Sequence, residues 1–156
     1  MSAAPTAPAM TAVLYGIGTD VCDLRRIEQV WSRHGERFAA RILGPAERAV
    51  FQARKARCER RGLAYLGTRF AAKEALSKAL GLGLRMPMSW QACEILNAPD
   101  GRPQVQLHGA LADWCGQRGL LLHVSISDEL DTAVAFVVAE RVKPADGPFS
   151  VSEISP

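Results

Sequence analysis

Charged side chains recur on one face of a predicted helix that ends at Gly81. Residues four apart share a helix face, so Glu74 and Lys78 stand together, with Arg69 and Lys73 beside them. A carboxylate among cations, followed by a glycine-rich turn, suits a metal ion and phosphate groups. A solvated helix with ordinary i,i+4 ion pairs would show the same pattern, and this segment alone favours that simpler interpretation.

A second carboxylate, Asp20, follows the apolar run 13–17, which predicts a buried strand. A carboxylate in that position is costly unless something compensates its charge. Asp20 could cap the helix that is predicted to begin near Leu24. It could instead join Glu74 as a ligand of Mg²⁺, which commonly takes one or two carboxylates and completes its shell with water and substrate phosphate.

Three motifs in a fixed order make the chain resemble a known family, the holo-acyl-carrier-protein synthases, which are small bacterial phosphopantetheinyl transferases. The motifs are 16–20 followed by Arg26 and Ile27, 69–75 followed by Lys78 and Ala79, and 123–127. Each motif is loose by itself. The ordered set is specific, and the resemblance covers roughly residues 14–142.

The resemblance implies an activity: these enzymes move the 4′-phosphopantetheine arm of coenzyme A to a serine of apo acyl carrier protein and release adenosine 3′,5′-bisphosphate. By position, Asp20 and Glu74 match the Mg²⁺ ligands, and Lys78 matches the lysine near the pyrophosphate. Glu74 and Lys78 are therefore the expected catalytic residues. The base that takes the serine proton is left open between Glu74, a metal-bound water and Asp20. The expected contacts to coenzyme A are Arg69, Lys73, Lys78, Gly81 and Gly83.

Two positions depart from the usual family pattern. Leu82 stands where a threonine is common, so a hydroxyl that could hold phosphate is absent, although backbone N–H groups beside it could still serve. Asp128 stands where many members carry histidine. An aspartate there could orient a cation or cap the following turn, and turn capping is the expected role. Neither departure alters the metal carboxylates, so we expect an active enzyme rather than a non-catalytic relative.

The predicted elements indicate an α+β fold. In order they are a strand over 13–21, helices over 24–34 and 45–55, a long helix over 63–80, strands over 90–96 and 102–107, a helix over 109–118, and strands over 121–127 and 132–141. The resemblance implies the 4′-phosphopantetheinyl transferase fold, with a small antiparallel sheet packed against one long and several short helices. We expect a disordered leader over 1–11, one transferase domain over 12–142 and a flexible tail over 143–156.

Composition narrows the class of protein. Hydrophobic residues make up 48% of the 156 residues and charged residues 22%, as in ordinary globular domains. No apolar run approaches the ~20 residues that span a bilayer, and residues 1–9 lack the features of a secretory signal. The four cysteines are dispersed without metal-ligand spacing. We therefore expect free thiols, no membrane partner and a cytoplasmic location.

The basic region Arg25–Arg61 contains eleven Lys and Arg against four acids, a net charge of +7, so the remaining residues sum to −4 in a chain of net charge +3. Such a region suits nucleic acid, an acidic protein or a phosphorylated ligand. Its few aromatic residues have the spacing of helical core positions, which argues against nucleic acid. The resemblance implies acyl carrier protein as the acidic partner, together with assembly of the chain as a homotrimer.

Overall fold

The computed structural model describes residues 10–144 of the chain. Its strands are β1 (Met10–Asp23), β2 (Cys93–Asn97), β3 (Pro103–Leu107), β4 (Leu120–Asp128) and β5 (Thr132–Pro144). Its helices are α1 (Leu24–His34), α2 (Glu36–Ile42), α3 (Pro45–Arg57), α4 (Glu59–Ala79) and α5 (Gly109–Gln117). Residues 1–9 of the predicted leader and 145–156 of the predicted tail lie outside the described residues.

The sheet that carries the functional residues has the order β1-β5-β4, with both pairs antiparallel. Strands β2 and β3 form a separate antiparallel pair. Both predicted strand pairs are therefore confirmed, as is the α+β class. Strands β1 and β5 pair as far as Met10 with Pro144, so the pairing extends two residues beyond each end of the predicted domain.

Helix α4 lies across one face of this sheet. The β5 residues facing it are small and fully buried: Ala133, Ala135, Val137 and Ala139. Gly18 on β1 meets the helix most closely, because a Cβ at this position would collide with the carbonyl oxygen of Ala75. Small residues thus let strand and helix backbones approach, and this approach places β1 beside the C-terminal part of α4.

Two elements differ from prediction. Helix α4 begins at Glu59 rather than near residue 63, and its early glycine, Gly62, packs against Lys55 of α3 instead of ending a helix. Residues 90–92 form a 3₁₀ turn, so β2 begins at Cys93 rather than at Trp90. Helix α2 was not predicted. Within residues 10–144 no helix is long and apolar enough to cross a membrane.

The opposite side of the sheet leaves large apolar side chains exposed. We call this set the outer apolar face: Ile17, Val21, Leu121, Val134 and Phe136.

All four cysteines lie in the described part of the chain and are free thiols, as expected; three are buried, and Cys58 is exposed.

Candidate functional site

Asp20 and Lys78 meet where β1 runs beside α4. The Lys78 ammonium donates hydrogen bonds to Asp20 Oδ1 at 2.9 Å and to the Thr19 carbonyl at 2.8 Å. The Asp20 side chain is 17% exposed and that of Lys78 is 51% exposed, so the ion pair stands at the edge of a cleft. Asp20 does not cap α1, because Asp23 accepts the hydrogen bond from the Arg25 backbone N–H at that helix end.

Glu74 lies one helical turn before Lys78, yet within residues 10–144 its carboxylate makes no hydrogen bond or ion pair. Partial burial, together with the negative charge of Asp20, raises the pKa of Glu74, and Lys78 opposes this shift. Two carboxylates therefore share a partly desolvated cleft in which one cation compensates only one of them. A pair of this kind is suited to bind a further positive charge.

The Asp20 and Glu74 carboxylates are the candidate ligands for a metal ion at this site. No cluster of three or more His, Cys, Asp or Glu side chains suitable for a metal occurs in the described residues. Zinc and calcium sites built from protein ligands alone are thus not indicated. Two carboxylates fit Mg²⁺, which keeps several waters and takes oxygens from substrate phosphates.

Lys73, a predicted contact to coenzyme A, is fully buried. Its ammonium donates to Glu47 Oε2 at 2.7 Å, to the Ile42 carbonyl at 2.7 Å and to the Trp90 carbonyl at 2.8 Å. All three donors are therefore used inside the protein, and none remains for a phosphate. This geometry argues against the predicted contact and gives Lys73 a structural role.

Gly81 and Gly83 also differ from expectation. Both have positive φ, 71° and 59°, and they form the turn that ends α4. The Gly81 N–H donates to the Lys78 carbonyl, and the N–H groups of Leu82 and Gly83 donate to the Ser77 carbonyl. These donors close a helix C-terminus, where the dipole disfavours anions, so the backbone here is poorly suited to hold phosphate.

Arg69 lies at a second feature, a cavity of about 600 Å³ that we call the arginine cavity. Its guanidinium is held by the Ile95 carbonyl at 3.0 Å and by Asn97 Oδ1 at 2.7 Å, and it stacks on Tyr65 at 4.0 Å from the ring centroid. The cavity is lined by four arginines, among other residues: Arg54, Arg57, Arg61 and Arg69. This concentration of positive charge suits a ligand with several phosphate groups.

The sequence did not predict the arginine cavity. Arg54, Arg57 and Arg61 were assigned to the surface that faces a protein partner. The available signal was the spacing of Arg54 and Arg57, which puts them on one side of α3. Arg61 lies beyond the break at Cys58, so helical spacing does not relate it to the other two.

Asp128 does not cap the turn that follows β4. The turn is closed by the Glu129 N–H, which donates to the Thr132 carbonyl at 2.8 Å. The Asp128 side chain instead lines the arginine cavity. The expectation of turn capping is therefore wrong.

The remainder of the basic region is a surface of helices α1–α3. Arg26 and Arg33 are exposed on α1. The aromatic residues of the region belong to the core, since Phe51 is fully buried and its ring meets that of Trp31 edge-on at 5.5 Å. These rings therefore serve packing within the chain.

Comparisons with known proteins show which family the chain resembles. The sequence model of the 4′-phosphopantetheinyl transferase superfamily matches residues 16–137. The holo-[acyl-carrier-protein] synthase of Leptothrix cholodnii is 62% identical over 128 residues, which are 82% of this chain and 97% of the relative. The crystal structure of the Neisseria meningitidis synthase has a TM-score of 0.77 at 40% identity and covers 83% of this chain and 100% of its own. The Bacillus anthracis synthase, solved in complex with CoA (3′,5′-ADP), has a TM-score of 0.68 at 34% identity and covers 85% of this chain and 99% of its own.

Proposed function

The chain belongs to the 4′-phosphopantetheinyl transferase superfamily and to its holo-[acyl-carrier-protein] synthases, and we propose that Asp20, Glu74 and Lys78 form its catalytic centre. Its reaction transfers the 4′-phosphopantetheine group of coenzyme A to a serine of apo acyl carrier protein and releases adenosine 3′,5′-bisphosphate. The observation that carries the assignment of the centre is the meeting of β1 and α4. It puts the Asp20 and Lys78 side chains 2.9 Å apart, near a Glu74 carboxylate that has no partner among the described residues.

Mg²⁺ is the proposed metal, and Asp20 and Glu74 are the residues that would hold it. When bound, the metal would neutralise charge on the pyrophosphate of coenzyme A. Lys78, half exposed at the rim of the cleft, can follow the charge that develops on the departing phosphate. Asp20 is committed to Lys78. Glu74 is therefore the more available carboxylate to take the serine proton or to orient the water that does so.

The arginine cavity is the proposed site for the nucleotide end of coenzyme A. Arg69 and Glu74 are five residues apart on α4, which corresponds to roughly 7.5 Å along the helix axis. The two side chains also point about 140° apart around the helix axis, so an elongated ligand would have to bend around α4 to place phosphate groups among the arginines and still reach the carboxylates. This assignment retains Arg69 and Lys78 as coenzyme A contacts but not Lys73 or the two glycines.

The exposed arginines of α1 are the proposed docking surface for acyl carrier protein, whose recognition would then depend on charge. Arg26 and Arg33 lie on one helix and are free of the arginine cavity. Arg26→Glu should weaken carrier binding more than coenzyme A binding, and the difference should shrink as salt rises, because exposed charges are screened over ~10 Å at 0.1 M. Equal loss of affinity for both substrates would contradict this surface assignment.

A homotrimer is the proposed assembly, and the outer apolar face supports it. Large apolar side chains stand exposed on all three strands of the sheet, including Phe136 at 43% and Ile17 at 57%. A contiguous apolar surface of this kind marks an interaction site, and cyclic assembly would cover it. We further propose that the enzyme works in the cytoplasm, where holo carrier supports fatty acid biosynthesis.

The decisive experiment mixes the protein with apo acyl carrier protein, coenzyme A and Mg²⁺ and follows the carrier by mass spectrometry. Wild type should add one phosphopantetheine, and addition of EDTA should stop the reaction. Asp20→Asn and Glu74→Gln should each abolish transfer, whereas Asp113→Asn, an equal charge change on the exposed side of α5, should not. Wild-type turnover in either of the first two variants would overturn the assignment of the centre.

A further inference from the structure

Asp128 occupies an unusual position for an acid, in the wall of the arginine cavity. It ends β4, and Ile126, two residues earlier on the same face of the strand, lines the cavity too. Their partners on β5 are Ala133 and Ala135, both fully buried beneath α4. Asp128 therefore lies on the α4 side of the sheet and not on the outer apolar face.

No arginine neutralises Asp128 directly. Four guanidinium groups line the same cavity, yet within residues 10–144 the Asp128 carboxylate makes no ion pair or hydrogen bond. Its neighbour in the following turn behaves differently, since Asp131 lies 3.8 Å from the Arg60 guanidinium. An unpaired carboxylate lowers the positive potential of the whole cavity without taking up the exposed guanidinium groups of Arg54, Arg57 and Arg61.

We propose that Asp128 is a specificity-determining residue that limits how tightly the arginine cavity holds phosphate groups. The inference rests on the proposed function, in which this cavity receives the nucleotide end of coenzyme A. A carboxylate in the wall repels phosphate, and like charges placed together disfavour binding. The nucleotide product carries the same phosphates as the nucleotide end of the substrate. Without Asp128, both would be held more tightly, and the product would leave the cavity more slowly.

The test is binding of adenosine 3′,5′-bisphosphate to the full-length protein, measured by isothermal titration calorimetry at about 50 mM salt. Asp128→Asn keeps the size of the side chain and removes its charge, so the Kd should fall by roughly two- to tenfold. The gain should shrink at about 500 mM salt. Asp113→Asn, which makes the same change of net charge far from the cavity, should bind as wild type does. The product-inhibition constant in the transfer assay should fall in parallel with the Kd of Asp128→Asn.

Each other outcome has a definite meaning. Weaker binding by Asp128→Asn would overturn the proposal, because it would show that the carboxylate accepts a hydrogen bond from the nucleotide. Unchanged binding would also overturn it. Arg57→Gln separates this inference from the proposed function, since loss of a cavity arginine should weaken binding about tenfold. Wild-type affinity in Arg57→Gln would show that the nucleotide binds elsewhere, and both the cavity assignment and the role of Asp128 would then fail.

Discussion

At the scale of single residues, the contacts of Lys78 distinguish an intrahelical ion pair with Glu74 from a contact with the strand carboxylate Asp20. The i,i+4 spacing allows an ion pair between Glu74 and Lys78 within the helix. The structure instead pairs Lys78 with Asp20, 58 residues away in sequence, and leaves the Glu74 carboxylate without a partner in the described residues. The lysine therefore contacts the strand carboxylate, and the helix carboxylate is left available for chemistry.

Lys78→Met should lower turnover while changing substrate binding much less. A cation that follows charge on the leaving phosphate acts mainly in the transition state, and each tenfold loss of rate corresponds to about 1.4 kcal/mol. We expect at least a tenfold loss of kcat at saturating coenzyme A, measured by carrier modification. Stability should fall by no more than about 1 kcal/mol, because the lost ion pair is part exposed. An unchanged kcat would leave Lys78 with only a structural role.

Glu74→Gln should stabilise the metal-free protein at pH 7 while abolishing transfer. Burial and Asp20 raise the pKa of Glu74 in the folded state, so its ionised form costs stability. That cost is absent below the unfolded pKa and complete above the folded pKa. Urea unfolding in EDTA should therefore show a gain of a few tenths of a kcal/mol to about 1 kcal/mol at pH 7, discounted for solvent screening, and little gain at pH 4.

Added Mg²⁺ provides the control for this variant. It should raise the stability of wild type, because a ligand that binds only the folded state stabilises it, and it should do so much less for Glu74→Gln. If the Glu74→Gln variant has a lower free energy of unfolding than wild type at pH 7 without metal, repulsion between the Asp20 and Glu74 carboxylates is contradicted.

At the scale of elements, α4 organises both functional features. Its C-terminal part carries Glu74 and Lys78 towards β1, and its first half, up to Arg69, carries Tyr65 and Arg69 towards the arginine cavity. Lys73 lies between these two groups and ties the helix to α3 through Glu47. Glu47 in turn accepts hydrogen bonds from the backbone N–H groups of Gly44 and Ile95, so this buried pair joins α4, α3 and β2.

Lys73→Met should destabilise the fold by about 3–5 kcal/mol, because it leaves the Glu47 carboxylate buried without a counter-charge. Chemical denaturation measures the loss. The double variant Lys73→Met with Glu47→Gln should recover part of it, since glutamine carries no charge and keeps an acceptor for one of the two backbone N–H groups that Glu47 binds. A loss below about 1 kcal/mol in Lys73→Met would argue that the pair does not hold these elements together.

At the scale of the whole molecule, the two sides of the sheet serve different purposes. The side under α4 is lined with small buried residues and positions the site. The other side presents the outer apolar face, which a single copy of the chain leaves in water. Assembly through this face would leave α1 and its arginines open to a carrier protein.

Phe136→Asp should dissociate the proposed trimer, because it places a charge at the centre of the outer apolar face. Light scattering coupled to size-exclusion chromatography should give the mass of a monomer, with circular dichroism showing that the variant is folded. Ala53→Asp, on the exposed side of α3, is the matched control and should stay trimeric. A monomeric wild type, or a Phe136→Asp variant with unchanged mass, would refute this interface.

The sequence by itself determined the features that depend on neighbours along the chain. Apolar periodicity and turn residues located the two predicted antiparallel pairs and the long helix, and the ordered motifs identified the family. The start of α4 was predicted four residues too late, and the glycines within it, Gly62 and Gly67, are explained only by close contacts with Lys55 and Leu24 of other helices.

Only the tertiary structure decided what each charged side chain does. Arg69, Lys73, Glu74 and Lys78 are alike in a helical pattern, yet one lines a cavity, one is fully buried, one is left unpaired in the described residues and one contacts Asp20. The sequence around Asp128 likewise predicts a turn-capping residue, whereas in the folded chain Asp128 lines the arginine cavity. The physical reason is that spacing along a helix specifies the direction in which each side chain points but not the groups that surround it. Burial, counter-charges and cavities are created by elements that arrive from distant parts of the chain.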